Sequence, residues 1–146
     1  MASEDIGQSP MTVDSGALQQ VARTLNIGLA VVSIETWEVL FENANFFAWF
    51  PPESDADEPL TTRLPGLNAG RAQSRIEAGR AFRFETEAQS GGRTIPISVE
   101  IRAIPDGPDD QAVVECHNIT KQRQAEYMLD SYSKMAERNA RELERE

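Results

Sequence analysis

Cysteine occurs once in this sequence, at position 116, so neither an intrachain disulfide nor a cysteine-rich zinc site can form. Histidine also occurs once, at position 117, and a hydrolytic triad needs a histidine with both a nucleophile and an orienting acid in reach. Basic residues are in deficit: 14 lysines and arginines face 24 acids, for a formal charge of −10. Such a chain has no cationic surplus to neutralise nucleic-acid phosphates or anionic lipid. No apolar run approaches the ~20 residues of a transmembrane helix. The acidic, polar start from Met1 to Gly7 is no signal peptide. Phosphate loops, metalloprotease helices and nucleophile elbows are missing as well. The expectation is a cytoplasmic protein with no nucleic-acid partner, no metal, no membrane insertion in this segment and no catalytic residues.

What remains is enough for one modest core: 146 residues, 40% of them apolar. Charge is partitioned. Residues 121–146 hold six bases and six acids, so the whole −10 lies in residues 1–120, where 18 acids face 8 bases. Residues 1–12 lack a period and read as a disordered tail. Over 13–25, Ala17, Leu18, Val21, Ala22 and Leu25 recur at three- and four-residue steps, predicting an amphipathic helix capped by Asp14 or Ser15. Gly28 marks the turn beyond it.

A compact core is expected over 26–120. Gly28–Ile34 is rich in β-branched residues and predicts a strand. Glu35-Thr36 makes a tight connection, and Trp37–Phe41 returns as the second strand. Asn43 is placed to cap a short aromatic helix, Ala44–Phe50, which Pro51-Pro52 ends. Residues 53–58 form an acidic loop. Leu64–Gly79 reads as a helix with Leu67 and Ile76 inward and Arg71, Arg75 and Glu77 outward. The period then switches to two. Phe82, Phe84 and Thr86 share one strand face, and Arg83, Glu85 and Glu87 the other. Ser90-Gly-Gly-Arg93 predicts a two-glycine hairpin turn. The returning strand, Ile95–Ile104, buries Ile95, Ile97, Val99 and Ile101 and carries Pro96 at its start. A turn at 106–110 leads to the last strand, Ala112–Ile119.

From Thr120 onward helix formers dominate, without Gly or Pro to the end. Over 121–146 the residues Gln122, Ala125, Leu129, Tyr132, Ala136, Asn139 and Leu143 follow the three–four spacing of a heptad seam. A second register, Met128, Tyr132, Met135 and Asn139, competes until Glu142 interrupts it. An isolated helix of this length is barely stable in water, so its apolar stripe calls for a partner. The expected partner is a second copy, with a dimer face of Leu18, Val21, Leu25, Leu129, Tyr132, Ala136, Asn139 and Leu143. The alternative is a solvated tail held by pairs such as Asp130–Lys134 and Glu137–Arg141. Because the pattern runs uncapped to Glu146, the helix is expected to continue in a longer protein.

Three stretches carry a family likeness over about residues 25–126. Leu25–Ile34, followed by Leu40-Phe-Glu-Asn43 and the aromatic helix, looks like the opening hairpin and helix of a PAS domain. Gly92–Val99 resembles the family's hairpin into its fourth strand. Asn118-Ile-Thr120, with Arg123 beyond it, resembles the Asp-Ile-Thr motif and basic residue that join a PAS core to its output helix. The resemblance implies an α+β fold: a five-stranded antiparallel sheet in the order 2-1-5-4-3, with helices on one face. It also implies a sensory and dimerisation module of a bacterial multidomain signalling protein. That module would drive a histidine kinase, diguanylate cyclase or nucleotide cyclase in the same polypeptide. Asn118, Thr120 and Arg123 would form the signal-transfer hinge. Asn118 stands where the family has aspartate, so Arg123 would meet an amide instead of a carboxylate. No Asn-Cys-Arg-Phe-Leu-Gln segment and no histidine on the 64–79 helix are present, which argues against the family's flavin and haem cofactors.

Cys116 and His117 lie at adjacent strand positions and so point to opposite faces, which prevents them from clasping one ion. Cys116 reads as core and His117 as surface. The aromatic cluster allows two readings. A packed core is favoured by the scarcity of inward polar groups, with Thr86 and Gln73 the best of them. An unidentified small ligand is the other, in a pocket lined by Phe46, Trp49, Leu67, Ile76, Phe82, Phe84, Thr86, Val99 and Cys116. Arginines 63, 71, 75 and 80 offer charge to an anionic ligand, although solvated side chains explain them as well.

Overall fold

The computed structural model describes residues 26–54 and 57–145, and the side chains as far as residue 143. The strands are β1 (Ile27–Ser33), β2 (Val39–Glu42), β3 (Phe82–Ser90), β4 (Arg93–Ala103) and β5 (Gln111–Asn118). The helices are α1 (Ala44–Trp49), α2 (Leu60–Arg63), α3 (Ala69–Glu77) and α4 (Thr120–Arg145). All strand pairings are antiparallel and the order is β2-β1-β5-β4-β3, as the resemblance implied. The expected 13–25 helix, with Leu18, Val21 and Leu25, lies outside the described residues.

Alternation along the strands decides which face is inside. Ala30 and Val32 of β1, Ile95, Ile97, Val99 and Ile101 of β4, and Ala112, Val114 and Cys116 of β5 are buried on one face. Phe46, Trp49 and Phe50 from α1 and its end, Leu60 and Leu64 around α2, and Ala72 and Ile76 of α3 close over that face into one core. Each large side chain so buried contributes roughly 1.5–3 kcal/mol of transfer free energy. The hairpin turn falls where expected, with Gly91 and Gly92 both at positive φ, which residues with a Cβ adopt only at a cost.

Asn43 caps α1 as its sequence position suggests, and also ties the helix to the sheet. Its Oδ1 accepts from the amides of Phe46 at 2.9 Å and Leu29 at 3.0 Å, while its Nδ2 donates to the Ile27 carbonyl at 3.0 Å. The docking is close enough to require a glycine on β1. A Cβ at Gly28 would lie 3.0 Å from Trp49 Cζ3 and 3.3 Å from the Phe46 Cα. Gly28 is therefore needed for space within the strand expected over Gly28–Ile34, and the turn read at Gly28 falls at Asn26, whose φ is 58.

Four further expectations are corrected. The second strand begins at Val39, because Trp37 is left-handed (φ 61) and buried in a turn. The helix read over 64–79 is shorter, Ala69–Glu77: Pro65 disfavours helical geometry at Leu64, where α2 has already ended, and Gly66 turns the chain at φ 83 before Asn68 caps α3. Leu67 thus sits in the connection, half-buried against the core. Pro96 is the fourth residue of β4, not its start. Opposite Glu87 its missing amide would point away from β3, one residue before the β5 pairing opens at Ile97, so no ladder bond is lost.

The largest departure is Arg63, which is not solvated. Its side chain is fully buried and forms a two-pronged ion pair with Glu42 of β2, at 2.9 and 2.5 Å. Its Nε donates to the Phe50 carbonyl at 2.8 Å, and its guanidinium lies 5.4 Å from the Phe46 ring centre. Breaking such a pair leaves a carboxylate partly shut from water. Arg63→Ala is expected to lower stability by about 3 kcal/mol in urea unfolding, and an unchanged midpoint would contradict this account. Gly28→Ala is expected to cost about 1–3 kcal/mol in the same measurement, because the Trp49 ring must give way.

Candidate functional site

The site that the fold singles out is the junction at which the central strand β5 becomes α4. β5 pairs with β1 along Gln111–His117 and with β4 along Ala112–Asn118, so its end is held from both sides. Asn118 closes the strand. Its Oδ1 accepts from the Thr120 amide at 2.9 Å and from the Thr120 hydroxyl at 2.6 Å, a local turn that an asparagine side chain makes readily. Ile119 is buried, and its amide donates to the Pro96 carbonyl at 3.0 Å. The first helical bond follows, from the Arg123 amide to the Ile119 carbonyl.

Asn118 and Thr120 are thus bonded to each other. Arg123 does not join them. Asn118 Oδ1 is already occupied by the two Thr120 donors, and the Arg123 guanidinium pairs instead with Glu85 of β3. That contact ties the first turn of α4 to the outer face of the sheet. Glu85 was readable as outward from the strand alternation. Its pairing with a helix 38 residues later in the chain was not.

Beyond this first turn α4 leaves the body. From Lys121 to Leu143 every residue except Ser131 is exposed. Leu129, Tyr132 and Leu143 are each more than 70% exposed, and Ala136 and Asn139 are also in solvent. Met128 and Met135, of the competing register, are exposed too. The pairs Asp130–Lys134 (3.1 Å) and Glu137–Arg141 (3.8 Å) form along the helix. At this exposure they add only tenths of a kcal/mol.

The nine residues of the expected ligand pocket divide. Phe46, Trp49, Ile76, Phe82, Val99 and Cys116 belong to the buried core, while Leu67 and Phe84 pack on its margin. Thr86 is half-buried, and its hydroxyl donates to the Pro65 carbonyl at 2.7 Å, so its one proton is already used. Gln73 is turned to Glu77 at 3.1 Å. No buried side-chain nitrogen or oxygen among the described residues lacks a hydrogen-bond partner. Burial pushes the Cys116 thiol up to about 12, which leaves it protonated and inert at neutral pH.

On the opposite face runs a chain of ion pairs that the sequence did not reveal. Arg83 meets Glu100 at 2.7 Å, Arg102 bridges Glu100 at 2.9 Å and Glu115 at 3.0 Å, and Glu115 reaches His117 at 2.6 Å. The lone histidine thus points outward, as its position implied, but has an acidic partner two residues away. Hydrogen bonding to Arg83, and then to Arg102, holds the Glu100 carboxyl below its ordinary value. Bonding to His117, and then to Arg102, does the same for Glu115.

No family model matches the sequence, and no curated protein does. Solved structures do. An RNA-binding light-oxygen-voltage receptor superposes with a TM-score of 0.55 at 11% identity, over 89% of this chain but only 40% of that one. The PAS domain of nitrogen regulation protein NR(II) from Vibrio parahaemolyticus gives 0.50 at 11% identity, over 69% of this chain and 96% of that one. The N-terminal domain of a diguanylate cyclase with PAS/PAC sensor from Marinobacter aquaeolei gives 0.50 at 10% identity, over 66% and 98%. The chain has the PAS fold. Among the described residues no helix is long and apolar enough to cross a membrane.

Because both outer-face carboxyls are depressed, their contribution to stability is complete above the ordinary value of 4.5 and is lost as pH falls below it. The urea midpoint is expected to stay level from neutrality to about pH 4.5 and then decline. A Glu100→Gln/Glu115→Gln variant should decline less steeply, and parallel curves would show that this chain does not couple to folding.

Proposed function

We propose that this chain is a sensory and dimerisation module that passes a signal through α4 to an output domain of the same polypeptide. A histidine kinase, diguanylate cyclase or nucleotide cyclase fits that place. The observation that supports this most is α4 itself: 26 residues long, rooted in the central strand and lined with apolar side chains that the body leaves uncovered. A second copy would cover Leu129, Tyr132, Ala136 and Leu143. Asn139 in the same stripe would trade stability for register. Two of the structural neighbours, a nitrogen regulation protein and a diguanylate cyclase with a PAS/PAC sensor, are in keeping with this reading. In this proposal the module works in the cytoplasm, and chemistry is left to the output domain.

The mechanism is mechanical. A change at the sheet shifts the Asn118–Thr120 turn and the Arg123–Glu85 tie, and the paired helices rotate or slide. Only a few kcal/mol of difference between two helix arrangements is needed for such a switch. A second reading is a ligand-free scaffold that sets oligomeric state without sensing. It is favoured by the satisfied polar groups of the core and by the Thr86–Pro65 bond.

Light scattering on the 146-residue chain is expected to give about twice the 16.2 kDa monomer mass. Leu129→Asp/Tyr132→Asp should return it to a monomer with an unchanged circular dichroism signal from the sheet. A monomeric parent chain would overturn the dimer, and a dimer that survives the double substitution would move its interface elsewhere.

A further inference from the structure

The corner where α3 runs into β3 carries a feature independent of the reading above. Residues 1–120 contain eight basic residues, and four of them, Arg71, Arg75, Arg80 and Arg83, fall within thirteen positions that include a single acid, Glu77. The fold keeps them close. The Arg80 amide donates to the Arg75 carbonyl at 2.8 Å where α3 ends. Arg71, Arg75 and Arg83, with Ala81 and Phe82, line a cavity of about 250 Å³.

The pairing of these side chains is incomplete. Arg71 makes no side-chain hydrogen bond or ion pair among the described residues, nor does Arg80. Arg75 is held by a bond from its Nε to the Ala81 carbonyl at 2.9 Å, which leaves both terminal nitrogens free to donate. Arg83 is held through its Nε by Glu100, which Arg102 also engages. Arg71 and Arg75 stand four residues apart on one helix face, an arrangement of like charges that disfavours the helix unless an anion sits between them. Glu77, the nearest acid on that helix, is directed to Gln73.

We propose that this corner binds a small phosphate-type oxyanion, with Arg71 and Arg75 of α3 as its donors; Arg83 lines the cavity, but its guanidinium is drawn to Glu100 on the outer face of the sheet. Two guanidinium forks one helical turn apart suit a tetrahedral group, which accepts from several directions at once. Arg75 is positioned in advance by its Nε bond to Ala81, so less side-chain freedom is lost when the anion enters. A cavity of about 250 Å³ leaves room for such a group.

Isothermal titration of the whole chain with sodium diphosphate, against sodium chloride at matched ionic strength, tests the site. Saturable binding is expected for diphosphate alone. Arg71→Gln should weaken it about tenfold, the worth of one charge-assisted hydrogen bond. Arg138→Gln, on exposed α4, should leave it unchanged. Arg71 has no partner to lose, so its variant keeps the fold, and circular dichroism verifies this. A parallel titration with ADP separates the two sources of such a group. Equal affinity identifies the inorganic anion, and tighter binding identifies a nucleotide whose phosphates occupy the same arginines. Heat indistinguishable from that of chloride overturns the proposal. So does equal binding by the Arg71→Gln and Arg138→Gln variants, or binding of polyaspartate without binding of either phosphate.

Discussion

A single buried arginine organises the helical side of this domain. The body of Arg63 fills space beside the Phe46 ring, and its head joins three segments: Glu42 at the end of β2, the carbonyl of Phe50 at the end of α1, and α2 itself. A guanidinium taken from water is tolerated only when its donors find acceptors with good geometry. Here Nε and both terminal nitrogens do. The hydrophobic contacts supply most of the stabilisation but little direction. The Arg63 fork fixes how the 43–64 stretch folds over the sheet, and that in turn permits the close docking of α1 against Gly28.

Much of the fold was legible because local chemistry and global pattern agree. Ser90-Gly-Gly-Arg93 could hardly be anything but a tight hairpin, and its position sets the register of β3 on β4. Asn43 announced α1, and the β4 alternation named its inward residues correctly. The errors occur where tertiary context overrides local preference. Trp37 reads as a strand residue by propensity, yet its ring is worth more in the core than its backbone is in a ladder. Arg63 looks like any surface arginine until Glu42, 21 residues earlier, is placed beside it. Arg123 was assigned to the nearer Asn118, whereas Thr120 had already taken that oxygen. Partner choice of this kind depends on distances that sequence spacing does not carry.

The two ends of β5 show how a sheet and a rod share one chain. At Gln111 the strand enters from a surface turn. At Asn118 it leaves through a hydrogen-bonded turn that leaves few free torsions before the helix begins. Strain in the sheet therefore has a short, stiff route into α4, anchored at Ile119 and tethered by Glu85. Beneath it, every buried side-chain nitrogen and oxygen of the described residues has a hydrogen-bond partner.

The strand order has one more effect. Its borders are β2, only four residues long, and β3, nine residues long with an open row of backbone donors and acceptors. A border of that length invites another polypeptide to add itself as a sixth strand. Here Arg83, Glu85 and Glu87 alternate along it, and any incoming strand would have to accommodate those charges at every second position. The domain is thus guarded against growth in the plane of its sheet, as a protein kept at appreciable concentration in its folded state must be.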